Sequence, residues 1–276
     1  MSNKLWKIII NSLLGFTVGV TALIPGISGG TIIFISGKYQ IIISTVFNLF
    51  YKLIRNNKQS YYKHDYSLLL NLIISALTTI LIFSNLLSSL MVKNGKEVES
   101  IFLGLILIFC IKLLIEAKLN FRLAILFLLG LIVGLSIFFI PITKSVSPNN
   151  TLVLFSGIIA GGAMILPGIS GAAILLIIGM YETTLNGIST LGANFLTFFL
   201  SGAIIGAFLG LYLLKFLIDK YSNQFIIFTT GFILGSMIEL ILRSANEVSL
   251  SYKFLPFLLL GIILALIINR LITRIS

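Results

Sequence analysis

ALIPGISGGTIIFISGKYQ, residues 22–40, returns as MILPGISGAAILLIIGMYE at residues 164–182. A shift of 142 residues carries Pro25–Gly29 onto Pro167–Gly171. It also carries Gly15 onto Gly157, Gly19 onto Gly161, Ile32 onto Ile174, Ile35 onto Ile177, Gly37 onto Gly179 and Tyr39 onto Tyr181. These are eleven identities over positions 15–40, where membrane composition alone gives roughly two or three. Both copies sit in strongly apolar surroundings. Proline there removes a helical N–H and clashes with the preceding turn, and the glycines after it let the backbone leave the helical region. Duplicated broken helices of this kind mark a carrier assembled from internal repeats.

The surroundings of the two copies are those of a membrane protein. Of the 276 residues 58% are hydrophobic and 10% charged, and the mean hydropathy is +1.13. Apolar runs of about 20 residues, enough for a hydrocarbon core of ~30 Å, recur along the whole chain. We therefore expect one integral membrane domain. The net charge of +11 does not indicate nucleic acid, because the basic residues are scattered through short connections rather than gathered in a stripe. Cys110 is the one cysteine, so an internal disulfide or thiolate metal site is excluded. Lys4 and Lys7 precede an apolar stretch that runs straight into PGISG without a small-residue cleavage site, which reads as an uncleaved first helix.

The predicted order is a broken unit over about 5–54 and simple spans at 67–91, 98–117 and 121–142. After a turn-rich boundary come a second broken unit near 151–181 and spans at 193–218, 224–242 and 254–272. The expected fold is all-α and polytopic, with two inverted-topology repeats, about 1–143 and 144–276. Each repeat is a broken re-entrant hairpin followed by three transmembrane helices. A hairpin plus three spans ends on the opposite face from its start, which inverts the second half. The basic residues agree with cytoplasmic termini. Lys4, Lys7, Lys52, Arg55, Lys58, Lys63, Lys112, Lys118, Arg122, Lys215, Lys220, Arg270 and Arg274 all fall inside. The outer connections are balanced or poor in basic residues.

Irregular backbone at membrane depth is tolerated only where protein buries it or where it lines a wet cavity. The candidate substrate site is accordingly the pair of breaks: Pro25, Gly26, Ser28, Gly29, Gly30 and Thr31 with Pro167, Gly168, Ser170 and Gly171. Peptide N–H groups at the start of each following half-helix, with the hydroxyls of Ser28, Thr31 and Ser170, suit an anion such as a phosphate or carboxylate. Ionisable residues at depth are candidates for coupling or gating. Lys38 with Tyr39, and Glu182 with Tyr181, flank the half-helices at expected cavity mouths, and Glu239 lies within a span. Interfacial anchoring is the competing role for Lys38 and Glu182. Gly202, Gly206, Gly210, Gly231 and Gly235 have the spacing of helix packing. His64, without a second histidine, reads as a surface residue.

On these two segments the chain resembles the DUF368 family of bacterial membrane proteins, which carry a PGxSGG-type motif early and a PGxSG-type motif midway. The likeness extends over the full length through the spacing of spans and through GFILGS at Gly231–Ser236. The resemblance implies a polyprenyl-phosphate transporter of the bacterial plasma membrane, a flippase returning undecaprenyl phosphate to the cytoplasmic leaflet for cell-wall precursor synthesis. Its implied partners are the lipid phosphate and membrane lipids, without nucleic acid, cofactor or metal; oligomeric state is left open. Family members often carry an acid three residues before the first proline and another just after the tyrosine. Here those positions hold Ala22 and Gln40, and Glu182 keeps the second in the later copy.

Two other classes compete. An ion-coupled secondary transporter of a small anionic solute would use the same broken helices but a pore closed to lipid. A membrane enzyme, such as a lipid phosphatase, needs a nucleophile with its base or a metal cluster, and the chain's eight acids lie mostly at span ends.

Overall fold

The protein is described by a computed structural model covering residues 3–22, 27–55, 64–117, 119–140, 148–190, 192–247 and 254–273. Among these residues it is an all-α polytopic membrane protein. Its helices are α1 (Asn3–Ala22), α2 (Gly29–Ile35), α3 (Tyr39–Arg55), α4 (Tyr66–Glu116), α5 (Phe121–Ser136), α6 (Asn150–Ile165), α7 (Gly171–Ile177), α8 (Tyr181–Ser189), α9 (Ala193–Glu247) and α10 (Phe254–Thr273). Four stretches are long and apolar enough to cross a bilayer: Leu5–Ala22, Tyr66–Phe83, Lys93–Glu116 and Ala193–Ile238. A fifth is the bent pair Gly29–Ile35 and Tyr39–Lys52, folded by 117° at its break. Large apolar side chains such as Leu81, Ile115, Phe121 and Leu255 point outward, as lipid-facing surface requires.

The order α1–α5 recurs as α6–α10, with a long helix, a seven-residue half-helix, a bent-back helix, a long kinked helix and a closing helix. The expected spans at 67–91 and 98–117 are found as two helical stretches of α4 that meet at Asn94 (φ −139°, ψ 32°), so that one residue takes the place of the expected polar connection and Lys96–Glu99 begin the second stretch. Likewise α9 runs through 219–223 with one non-helical residue, Tyr221 (φ −134°, ψ 38°). One residue off the helical region suffices to redirect a helix, and Asn94–Gly95 is the weakest helix-forming pair in its stretch. The two kinks are 127 residues apart, the same shift that carries Gly104 onto Gly231.

Glycines fix how the helices approach. A Cβ on Gly15 or Gly19 of α1 would strike the carbonyl oxygens of Leu72 and Ala76 in α4. One on Gly157 or Gly161 of α6 would strike those of Phe199 and Ala203 in α9. In the same way Gly104 of α4 lies against the Leu258 carbonyl of α10, and Gly231 of α9 against the Phe127 carbonyl of α5. Backbones this close gain dispersion contacts that larger side chains would forbid, which is how helices associate where no hydrophobic force drives them. Gly202, Gly206 and Gly235 lie equally close to neighbouring backbone, as their spacing predicted, and Gly210 is in contact with Gly162. The last kinked segments and closing helices are exchanged between halves, α4 packing on α10 and α9 on α5. The main core gathers side chains from α2, α3, α4 and α9, including Cys110, which is fully buried.

Candidate functional site: two apposed helix breaks

The two breaks have the same backbone. Ser28 (φ −94°, ψ 129°) and Ser170 (φ −97°, ψ 129°) are extended residues that start α2 and α7, and neither side chain caps its helix. Elsewhere the chain caps in the ordinary way. Asp65, Asn120 and Asn149 accept from the N–H groups of Leu68, Leu123 and Leu152 at 2.9, 3.0 and 2.7 Å, each satisfying one of the first unpaired donors of its helix. The half-helices also end alike. Gly37 and Gly179 both have φ 73°, a left-handed conformation that side chains with a Cβ resist. In each case the preceding residue's N–H reaches the carbonyl four back, Ser36 to Ile32 and Ile178 to Ile174, both at 3.1 Å.

The breaks meet across the interface of the halves. The Gly168 N–H donates to Thr31 Oγ1 at 2.9 Å, and the Tyr39 hydroxyl donates to the Ile165 carbonyl at 2.6 Å. Thr31 is nearly fully buried. Because its oxygen already accepts from Gly168, its hydroxyl hydrogen is left to donate. Gly168 has φ 87°, and a Cβ there would lie 2.7 Å from the Phe232 ring. The meeting point borders a narrow cleft with enclosed room for little more than one water molecule, lined by Ile27, Ser28, Thr31, Leu103, Ile106, Gly168, Ile233, Ser236 and Met237.

Of the residues singled out in the sequence, Ser28, Thr31 and Gly168 therefore line one cleft. Gly29 and Gly30 lie beside it at the start of α2, Gly29 against Val18 and Gly30 facing the Met164 and Leu166 carbonyl oxygens. Pro167 is buried, and Ser170 begins α7 without lining the cleft; Gly171 is packed against Met164 and the Ala160 carbonyl. Pro25 and Gly26 lie outside the described residues. The expected cavity mouths at the half-helix ends are not seen in this form. Tyr39 is buried, its ring stacked on Phe225 and edge-on to Phe34, and Lys38 reaches Asn11 Oδ1 at 3.0 Å instead of the cleft. Tyr181 packs on the apolar cluster of Val153 and Met180, while Glu182 is exposed in the first turn of α8. Glu239 lies in α9, and its side chain is outside the described residues.

Sequence reasoning missed the cleft's other walls, Leu103 and Ile106 of α4 and Ile233, Ser236 and Met237 of α9. Ile106 and Ile233 are related by the 127-residue shift, the signal that could have found them. Lys112, one of the basic residues expected on the inner side, donates to Asn269 Oδ1 of α10 at 2.8 Å. His64 has its ring 4.6 Å from that of Tyr66, and among the described residues no cluster of His, Cys, Asp or Glu could hold a metal ion.

A family model described as undecaprenyl phosphate translocase-like matches residues 18–250, which include both breaks and the whole cleft. The chain belongs to this family. A relative from Vibrio cholerae serotype O1, named polyprenyl-phosphate transporter, is 35% identical over 248 residues, covering 86% of this chain and 79% of its own length. A second of the same name, from Staphylococcus aureus, is 24% identical over 281 residues, covering 95% and 96%. No solved structure matches the chain. The matched region of the family thus contains the hydroxyls of Ser28, Thr31 and Ser236 and the apolar walls around them. Such a lining can hydrogen-bond a compact polar group while leaving an attached hydrocarbon in apolar surroundings.

Proposed function

We propose that the chain is a flippase for polyprenyl phosphate, returning undecaprenyl phosphate to the cytoplasmic leaflet, with the apposed breaks as the headgroup site. One observation carries the reading: two duplicated, uncapped helix breaks touch through Thr31 and Gly168 beside a cleft with hydroxyls in its wall. The family and the names of its relatives supply the substrate class. A polyprenyl phosphate has one small anionic headgroup and a long apolar tail, so the protein shelters only the headgroup while the tail remains in lipid. Ser28 and Thr31 donate hydrogen bonds from the cleft wall, and Ser170, which starts α7 outside the cleft in this form, takes the matching part when the halves exchange. Pro25, Gly26, Gly29, Gly30, Pro167, Gly168 and Gly171 hold the backbone open around them.

The two halves, about 1–143 and 144–276, act as inverted repeats within one membrane domain, with both termini cytoplasmic. They exchange outward-open and inward-open forms around the central site. Tyr39 gates the first hairpin, and Tyr181 with Glu182 occupies the matching place in the second. Glu239 and Lys38 are the remaining ionisable candidates for coupling. The chain works as a carrier without a cofactor, and breaks no covalent bond.

The test is headgroup translocation in liposomes containing the purified protein, comparing polyprenyl phosphate with the corresponding polyprenyl alcohol. Faster flipping of the phosphate alone is expected. Equal rates for both lipids, or uptake of small anions into the lumen without lipid flipping, would replace this reading with scrambling or with the small-solute carrier.

A further inference from the structure

The first hairpin contains a group of polar side chains that the cleft does not use. Lys38, at the hinge after α2, is half-buried and donates to Asn11 Oδ1 of α1. Asn11 itself is 1% exposed, and its Nδ2 has no hydrogen-bond partner. Nearby, Lys7 pairs with Asp65 Oδ2 at 2.8 Å, and Asp65 Oδ1 is taken by the Leu68 N–H. The Asp65 N–H donates to the fully buried Thr45. Asp65 is thus committed to Lys7 and to its own helix, and Lys38 has no carboxylate within salt-bridge distance among the described residues. Two ammonium groups against one carboxylate leave an excess positive charge. Half-buried Lys38 has given up part of its hydration, and an anion beside it would restore what burial removes.

The second hairpin shows that the scaffold does not need this polarity. Under the 142-residue shift Asn11 becomes Val153, Lys38 becomes Met180 and Thr45 becomes Gly187. Val153 and Met180 form a buried apolar cluster with Leu175 on the same backbone. The hinge folds with apolar residues at these positions, so Lys38 and Asn11 require a reason other than the bend. What they offer is donors only: the remaining N–H groups of Lys38 and the unpaired Nδ2 of Asn11.

We infer that Lys38 and Asn11 form a second oxyanion site, taking a phosphate group at the hinge of the first hairpin, one half-helix away from the cleft. Thr31 lies one turn before the end of α2 at Ile35, and Lys38 follows the turn at Gly37. The inference rests on the phosphate reading above. It makes the first hairpin a staging post on one side of the membrane only, so that one face of a symmetric scaffold receives or releases the anion. The same chemistry could be supplied by the polyprenyl phosphate, by an anionic phospholipid or by free phosphate.

Binding to the full chain in nanodiscs tests this, counting molecules of a defined-length polyprenyl phosphate per protein in zwitterionic lipid, with phosphatidylglycerol and inorganic phosphate as competitors. Wild type should bind two. Lys38→Met with Asn11→Val, the residues the second hairpin already carries, should abolish one site or weaken it about tenfold or more, as loss of hydrogen bonds from a charged group does. Lys38→Arg should retain it. Ser28→Ala with Ser170→Ala should weaken the other site. Competition by inorganic phosphate assigns the hinge to free anion, and competition by phosphatidylglycerol alone assigns it to bulk lipid. Two sites surviving in the Lys38→Met, Asn11→Val protein would overturn the inference, as would a single wild-type site lost only with the serines, which leaves the cleft reading intact. A single site lost only with Lys38 would overturn the cleft and keep the hinge. A melting temperature within a few degrees of wild type identifies variants that have folded.

Discussion

The two hairpins share a backbone and differ in chemistry. Ser28 and Ser170 start their half-helices with dihedral angles within a few degrees, and Gly37 and Gly179 end them at one φ. Yet the first hairpin carries Thr31, Lys38 and Gln40 where the second has Ala173, Met180 and Glu182. The first is also the one whose polar side chains beyond the half-helix reach groups of the other half. Tyr39 reaches Ile165 and stacks on Phe225, and Gln40 Nε2 donates to Ser222 Oγ at 2.6 Å. Glu182, in Gln40's place, is exposed. The fold is thus duplicated, and its polar equipment is concentrated in one copy. Under the alternating exchange proposed above, the two forms would present different faces to the substrate, and substitutions that test the difference should not have symmetric effects.

The largest expected effect lies at the meeting point. Gly168→Val combines a left-handed φ, costing about 1–2 kcal/mol for a residue with a Cβ, with a collision against Phe232 that overpacks the core by about 1–3 kcal/mol. Transport should fall to background, with a lowered melting temperature. Gly30→Ala should be mild by contrast, because its Cβ would meet nothing closer than Ser28 Oγ at 3.4 Å. Equal loss in both variants would show that the asymmetry of the breaks has no functional weight.

Next come the hydroxyls. Thr31→Val keeps the shape and removes both the acceptor for the Gly168 N–H and the remaining donor; removing Ser28 and Ser170 together deletes two more donors. A hydrogen bond to a charged group contributes about 1.5–3 kcal/mol, so each variant should slow flipping by about tenfold or more. Wild-type flipping in the Ser28→Ala, Ser170→Ala protein would remove those serines from the site. A smaller difference is expected from the tyrosines. Tyr39→Phe loses a buried hydrogen bond worth about 1 kcal/mol, read as a lower melting temperature and a changed ratio of inward to outward accessibility in cysteine labelling. Tyr181→Phe should change neither.

Most of the architecture was legible because it is written twice. The duplicated PGISG, with Gly37 and Gly179, located both breaks and both half-helix ends, and the spacing of Gly202, Gly206, Gly210, Gly231 and Gly235 marked close helix contacts, whereas those of Gly15, Gly19 and their partners emerged only from the structure. Periodicity could not show that Asn94 and Tyr221 each redirect a helix alone, since charged residues such as Lys96 and Glu97 sit in a helical first turn as readily as in a loop. Nor did it show that Tyr39 turns inward: a tyrosine beside a lysine at a helix start has the composition of an interface anchor, and the Ile165 carbonyl that recruits it is 126 residues away. The cleft walls escaped for the same reason. Leu103, Ile106 and Met237 look like any lipid-facing residue until the opposite half is in place.

The smallest expected effect is at the edge of the first half, where Lys7 ties α1 to the start of α4. The hydrogen bond from Lys7 holds the Asp65 carboxyl below the usual carboxylate range, helped by the Leu68 N–H. A carboxyl whose folded pKa is depressed contributes stability above its unfolded pKa of about 3.9 and loses it as pH falls through the lower folded value. Lys7 is 61% exposed, so the pair should contribute only about 0.2–1 kcal/mol. Lys7→Met should lower the melting temperature slightly at pH 7, and the difference from wild type should hold at pH 5 and fade as pH falls below about 4. Asp65→Asn, which keeps an oxygen to cap Leu68, should reproduce the loss without the pH dependence. The second half has Asn149 at the position matching Lys7 and Gly192 at that matching Asp65 under the two shifts. Substituting Asn149→Met should therefore cost only the Leu152 cap, by the same amount at every pH.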